Sequence, residues 1–330
     1  MSPSTPPSFQ AWAAAQSLPA AHRPLTDSVL PALLTGIARI GAALRHRHHV
    51  APAAGSPLNA FGDTQLNVDV LAEQLLRDAL SACPSVATAS SEEDPIERRV
   101  HDSPPASYTI AFDPLDGSSI IGPNWTVGTI AGIWSGPSAL SLDPSTHQVA
   151  AVLGVYGPRT TALVAIRLPG LDPLCVEVGL PPSPDESPIL LREAVLLEPV
   201  LRNPRYFAPA NLRAAAEDPR YWALVTAYVR AGYTLRYSGG LVPDVVHALV
   251  KGRGVYLSPV TARSAPKLRR LYELLPVALV VECAGGRAVD PAHGGNVLAT
   301  PVRACDERGG IVCGNGPEVD FAMEELGRAE

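Results

Sequence analysis

Between residues 108 and 167 the chain carries four strand-forming runs, at 108 to 112, 125 to 134, 148 to 156 and 160 to 167, and they restrict its fold more than any other feature. The first run is β-branched and aromatic, and Gly157-Pro158 is a turn dipeptide between the last two. The pattern predicts a meander of antiparallel strands. Two amphipathic helices come before it. Leu30, Leu33, Leu34, Ile37, Ile40 and Leu44 recur at helical spacing over 27 to 45, with Thr26 or Asp27 available as N-cap. Leu66, Val70, Leu71, Leu75, Leu76 and Leu80 make a second apolar face after Gly62-Asp63, which places Asp63 at that helix's N-terminus.

Past the Pro- and acid-containing stretch 180 to 188 the pattern changes. Asp218-Pro219 starts a helix to about 231, Tyr233 to Tyr237 reads as a strand, and Pro243 opens a helix that ends at Gly252. A strand at 254 to 258, a helix from Pro266 to Gly285-Gly286 and a terminal helix near 317 to 327 complete it. The expected organisation is a flexible segment over 1–25, an N-terminal α+β half over 26–188 and a C-terminal α/β half over 189–330.

A chain of 330 residues can bury a large core, and 46% hydrophobic with 18% charged residues excludes disorder. No run of about 18 uninterrupted apolar residues points to a membrane span. The net charge of -6, with scattered Lys and Arg, offers no basic stripe for nucleic acid. Cys83, Cys175, Cys283, Cys305 and Cys313 are odd in number and lack CxxC spacing, so they read as reduced, mostly buried thiols in a cytoplasmic protein. The first 25 residues show no secretory signal. The 34 prolines are dispersed at loop positions such as Pro181, Pro182 and Pro184 and stiffen loops.

Chemistry concentrates in Phe112-Asp113-Pro114-Leu115-Asp116-Gly117-Ser118-Ser119. Two carboxylates three residues apart leave a strand beside small residues whose N–H groups and hydroxyls suit an anion. Hard cations such as Mg²⁺ take carboxylate and phosphate oxygens, so the stretch fits metal and phosphate together; an ordinary Asp/Gly/Ser loop fits it too. Other acids stand out: Asp63 and Asp69 near the second helix, Glu92-Glu93 after Ser90-Ser91, and Glu273 amid Leu271, Tyr272, Leu274 and Leu275. A helix cap, a solvated turn and an exposed helix residue are the plain readings of each alone. Pro276 kinks the helix around Glu273, and an acid in so apolar a segment wants a cation. Lys267, Arg269 and Arg270, with Arg236-Tyr237 before Gly239-Gly240, read either as surface cations and a hinge or as a second phosphate grip. His46, His48 and His49 read as solvated helix-end residues.

With these motifs the chain resembles the class 1 fructose-1,6-bisphosphatase family, and within it the sedoheptulose-1,7-bisphosphatase branch. The likeness runs from about 28 to 326. Besides the octapeptide it covers FGDTQLNVDVLAEQLL (61 to 76), SEE (91 to 93), NWTVGTIAGIW (124 to 134), VYGPRTT (155 to 161), YTLRYSGGLVPDV (233 to 245) and KLRRLYELLPVALVVECAGG (267 to 286). Ile120 and the Arg236 to Asp244 run resemble the sedoheptulose branch. The resemblance implies the layered α/β/α/β/α sandwich, α+β and α/β in class, of the sugar phosphatase superfamily.

It further implies metal ligation by Glu92, Asp113, the Leu115 carbonyl, Asp116 and Glu273. Asp63, Asp69 and Glu93 would serve proton handling and water activation, and Asp116, Gly117, Ser118 and Ser119 would cradle the 1-phosphate. Asn211, Tyr237 and Lys267 would hold the distal phosphate and sugar, with Arg236 reaching across from a neighbouring subunit. The implied cofactor is Mg²⁺, two or more ions per site, with Mn²⁺ as a substitute. The implied activity is hydrolysis of the 1-phosphate of sedoheptulose 1,7-bisphosphate, with fructose 1,6-bisphosphate as the alternative substrate. An inositol-phosphatase-like enzyme and a catalytically silent sugar-phosphate-binding protein are the remaining alternatives. A homo-oligomer, dimer or tetramer, follows by the same analogy. Ser258 stands where fructose-type members carry Tyr, and Gly122 where an acid is common. The regulatory cysteine pair that chloroplast sedoheptulose enzymes carry before the FGD motif is missing from 46 to 60.

Overall fold

The computed structural model describes residues 6–46, 49–53, 58, 62, 65–102, 106–183, 186–261 and 264–327. Eight strands build the larger sheet: β1 (Val86–Ser91), β2 (Arg98–Arg99), β3 (Tyr108–Asp116), β4 (Val127–Ser135), β5 (Gln148–Tyr156), β6 (Thr160–Ile166), β7 (Leu174–Gly179) and β8 (Ile189–Arg192). Their order is β2-β1-β3-β4-β5-β6-β7-β8. From β3 to β8 each strand pairs antiparallel with the next, which is the predicted meander, whereas β1 lies parallel to β3.

The strands are apolar on both faces because both are covered. Along β5, Ala150 and Val152 face one core while Ala151 and Leu153 face the other. The helices are α1 (Phe9–Ala15), α2 (Leu30–His46), α3 (Asn67–Ser81), α4 (Ser118–Ile121), α5 (Pro144–His147), α6 (Pro219–Arg230), α7 (Leu241–Lys251), α8 (Leu275–Cys283) and α9 (Gly316–Gly327). α1, α2 and α3 pack on the first face, and α7 and α8 on the second. Beyond α7 and α8 lies a five-stranded sheet, ordered β10-β9-β11-β15-β13, from β9 (Tyr206–Pro209), β10 (Thr234–Leu235), β11 (Val255–Ser258), β13 (Arg287–Val289) and β15 (Ile311–Gly314). β12 (Leu268–Arg269) and β14 (Arg308–Gly309) form a separate ribbon. α6 and α9 cover the far side of the second sheet through Tyr221, Leu224, Tyr228, Val319 and Ala322. The result is an α/β/α/β/α sandwich.

Several expectations change. Residues 8 to 25 are folded: Ser8 bridges Ile189, and Phe9, Leu18 and Leu25 are buried, because this segment finds an apolar seat at the sheet edge. β8 extends the first sheet past residue 188. The second helix starts at Asn67, so Asp63 precedes it, and Asp63, His48 and Pro184 lie outside the described residues. β3 does not stop at Phe112. It continues to Asp116 through a register shift between Asp113 and Asp116, where an extra residue lets Pro114 sit without a ladder partner. The helix expected from Pro266 is instead β12 followed by a π-helical turn, Arg270–Leu274, and then α8. The helical run Ala20–His46 is long and apolar enough to cross a membrane by length and composition, yet half of its apolar window is buried within the fold.

Candidate metal and phosphate site

The pairing of β1 with β3 sets Ser91 opposite Phe112, so the next residues, Glu92 and Asp113, leave adjacent strands side by side. The Glu92 N–H donates to the Phe112 carbonyl at 3.0 Å. Glu273 arrives from the π-helical turn before α8, a deviation of the kind found where a side chain must be re-aimed. Ligand oxygens of Glu92, Asp113 and Glu273 lie within 4.8 Å of one another. Asp113 and Glu273 are buried, and burial together with repulsion from Glu92 pushes both carboxyls well above their usual range. Such a cluster of hard oxygens fits a divalent cation. Arg269 supplies positive charge to the same spot: its backbone N–H donates to Glu273 Oε2 at 2.5 Å, and its guanidinium pairs with Glu92.

Arg269 is therefore turned into the acid cluster, and Arg270 is bound to Glu307 at 3.0 Å. Of the three cations expected there as a phosphate grip, only Lys267 is exposed.

A second group forms around Asp69, the third residue of α3. Its Oδ2 accepts from the Leu66 N–H at 2.7 Å and its Oδ1 from Ser118 Oγ at 3.0 Å. Ser118 Oγ also reaches the Leu115 carbonyl at 3.1 Å. Burial raises the Asp69 carboxyl to about 6. Glu93 is raised to about 7 by burial, then by repulsion from Asp69 and Glu92, while Gln65, whose Nε2 donates to Glu93 Oε2 at 2.6 Å, opposes the shift.

Asp116 is not among the three converging acids. Its two oxygens accept from the first N–H groups of α7, Leu241 at 3.1 Å and Val242 at 2.7 Å, where an orphan donor pair and the helix dipole favour an anion. Burial nonetheless raises it to about 6. Gly117 takes φ 96°, a left-handed turn that costs a glycine little, and leads into α4 with Ser118 half-buried and Ser119 exposed. The Cβ positions of Gly239 and Gly240 would lie 3.4 Å and 3.2 Å from Ile120, so that residue packs the turn after Gly117 onto the Gly239-Gly240 segment.

Tyr237 and Arg236 line a cleft of about 880 Å³ with Trp125, Asp244, His247 and Lys251. Asn211 is tied to the segment after β11, donating to the Pro259 carbonyl at 3.0 Å and accepting from Ser264 at 2.8 Å. Arg213, which the sequence reading passed over, is near enough to oppose the upward shift that burial imposes on Tyr237. Gln65 was also passed over. No local pattern marks a glutamine as the partner of a glutamate 28 residues away.

Comparison with known proteins agrees with this fold. The N-terminal domain of fructose-1-6-bisphosphatase matches residues 15–178, and its C-terminal domain matches 200–326. The chloroplastic sedoheptulose-1,7-bisphosphatase of Triticum aestivum is 37% identical over 82% of this chain, which spans 65% of that relative's length. The class 1 fructose-1,6-bisphosphatase of Syntrophotalea carbinolica is 36% identical over 82% of the chain and 80% of its own length. Among solved structures, a candidate sedoheptulose-1,7 bisphosphatase of Toxoplasma gondii superposes with TM-score 0.86 at 34% identity, covering 97% of this chain and 98% of its own. The holo form of Leishmania major fructose-1,6-bisphosphatase gives 0.85 at 26%, covering 98% and 100%. By matched domains, relatives and fold, the chain belongs to the fructose-1,6-bisphosphatase family.

Proposed function

We propose that this chain is a Mg²⁺-dependent hydrolase of the 1-phosphate of a sugar bisphosphate, preferring sedoheptulose 1,7-bisphosphate and also accepting fructose 1,6-bisphosphate. The observation that carries the reading is the convergence of Glu92, Asp113 and Glu273 from three separate segments within 4.8 Å. Glu92, Asp113 and Glu273, with the nearby Leu115 carbonyl and Asp116, would hold Mg²⁺, and Mn²⁺ would serve in its place. A metal held there would polarise phosphoryl oxygens and lower the pKa of bound water.

The chain's own groups do the rest. Ser118, the Gly117 to Ser119 backbone and Asp116's anchored turn receive the 1-phosphate, the first N–H groups of α4 having no partner within the helix. Glu93, whose carboxyl is raised to about 7, would accept the proton of an attacking water, with Asp69 linked to the Gly117–Ser119 turn through Ser118. Asp63 joins these two by the family resemblance. Tyr237, Lys267 and Asn211 orient the far end of the sugar. Arg236 is exposed beside the cleft and suits a role across a homo-oligomer interface, dimer or tetramer. The four buried free thiols among the described residues support a reducing, cytoplasmic setting.

The test is phosphate release from sedoheptulose, fructose and inositol phosphates with and without Mg²⁺. Release that requires Mg²⁺, is highest on sedoheptulose 1,7-bisphosphate and is absent on inositol phosphate is expected. Faster turnover of fructose 1,6-bisphosphate would remove the preference, and no release from either sugar would remove the activity.

A further inference from the structure

α3 carries Asp69, Glu73 and Arg77 at i, i+4 and i+8, which places them along one stripe of the helix. Asp69 meets the phosphate loop through Ser118. The other two meet the turn that bears Glu92 and Glu93. That turn is closed by its own ends: the Ser91 N–H donates to the Asp94 carbonyl at 3.1 Å, and the Asp94 N–H donates to Ser91 Oγ at 3.0 Å. Ser91 is wholly buried, and its hydroxyl donates to Glu73 Oε1 at 2.9 Å. The same Glu73 oxygen takes Arg77 Nε at 2.5 Å, and Arg77 NH2 lies 3.3 Å from Asp94 Oδ2. The guanidinium also sits 5.7 Å from the centre of the Phe112 ring, the residue before Asp113.

We infer that Glu73 and Arg77 are positioning residues: gripping Ser91 and Asp94 at either end of the turn and resting on Phe112, they hold Glu92 and Glu93 in register with Asp113. Two charged side chains on one rigid helix thus fix a turn from both ends. A free turn of four residues would let Glu92 wander from the ångström-scale placement that ligation of a cation needs. The inference rests on the proposed hydrolysis only for its kinetic readout.

The experiment compares E73Q, R77M, R77K, S91A and the double variant E73Q/S91A in the full chain, with Q74A on the exposed side of α3 as control. Mn²⁺ affinity is measured by calorimetry without substrate, alongside kcat, KM and thermal midpoint. E73Q, R77M and S91A are expected to weaken Mn²⁺ binding by about 10- to 100-fold and to lower kcat, with KM within about twofold. R77K should recover part of the affinity, and the double variant should lose no more than the worse single, because both changes cut one tether. A lowered thermal midpoint with Mn²⁺ affinity and kcat at wild-type levels would assign these residues to stability alone and overturn the inference. Wild-type protein that binds Mn²⁺ yet releases no phosphate would sink the hydrolase reading, while the Mn²⁺ affinities would still decide the role of Glu73 and Arg77.

Discussion

Glu273 sits where an isolated carboxylate would be expensive, among Leu271, Leu274 and Leu275, all buried. Its neighbours Glu92 and Asp116 make that worse by repulsion, and Arg269 only partly relieves it. Stability and chemistry therefore pull in opposite directions at this residue. Glu273→Gln keeps an oxygen for the Arg269 N–H and removes one charge from the cluster. In divalent-free buffer it should raise the thermal midpoint by a few degrees, about 1 kcal/mol for a chain of this size, while lowering phosphate release by at least about 100-fold. A variant that loses stability and keeps turnover would contradict the cluster as a cation site. Glu92, Asp113 and Glu273 are legible as candidates in the sequence because acids in apolar or turn contexts violate the ordinary pattern. Gln65, Glu73 and Arg77 are not, since polar residues on a helix or loop break no pattern and gain their meaning from partners 17 to 28 residues away.

At the scale of elements, the approach of α7 to β4 aims the helix at Asp116. Gly128 makes it possible: a Cβ at that position would overlap the Val242 side chain, which is wholly buried. Gly128→Ala should push α7 outward, draw the Leu241 and Val242 N–H groups from Asp116, and cost about 1 to 3 kcal/mol. Thermal denaturation and phosphate release should both fall. Val242→Ala on the same background should restore part of each, making the pair less damaging than the sum. The long strands and α2, α3, α6 and α9 are readable from apolar periodicity. Two elements at the site are not. Pro114 signals a strand end, yet a bulge absorbs it, and the apolar run around Glu273 signals a helix, yet its first turn is π-helical. In both places the tertiary need to turn a carboxylate toward a shared point outweighs local preference.

For the whole molecule, the five layers follow from which strands are apolar on both faces and which helices have one apolar face, and so they are visible before any contact is known. The docked N-terminal segment is not visible that way, because its seat is the distant β8. Global stability should also carry the mark of the acids. Asp69, Asp116 and Glu93 hold protons to about 6, 6 and 7 in the folded chain, against 3.8 and 4.5 for ordinary Asp and Glu. Between about pH 4 and 7 the folded state therefore binds more protons than the unfolded one, and stability falls as pH rises across that window. The metal-free thermal midpoint should decline from pH 5 to pH 8. Added Mg²⁺ should raise it more at pH 8, where no proton competes, than at pH 5. Equal shifts at both would argue against Asp116 and the raised acids Asp113 and Glu273 as the Mg²⁺ ligands.

An eight-stranded sheet has two open margins, and each is a template on which another chain can add a strand. Here the pairing of Ser8 with Ile189, flanked by the Phe9 N–H to Pro188 carbonyl and Leu190 N–H to Pro7 carbonyl bonds at 2.8 Å and 2.9 Å, lays the chain's early residues along β8. The opposite margin, β2, is two residues long and presents exposed Arg98 and Arg99. One margin is shielded by the protein's own backbone and the other is short and charged, so a long apolar sheet can remain in solution without recruiting its neighbours.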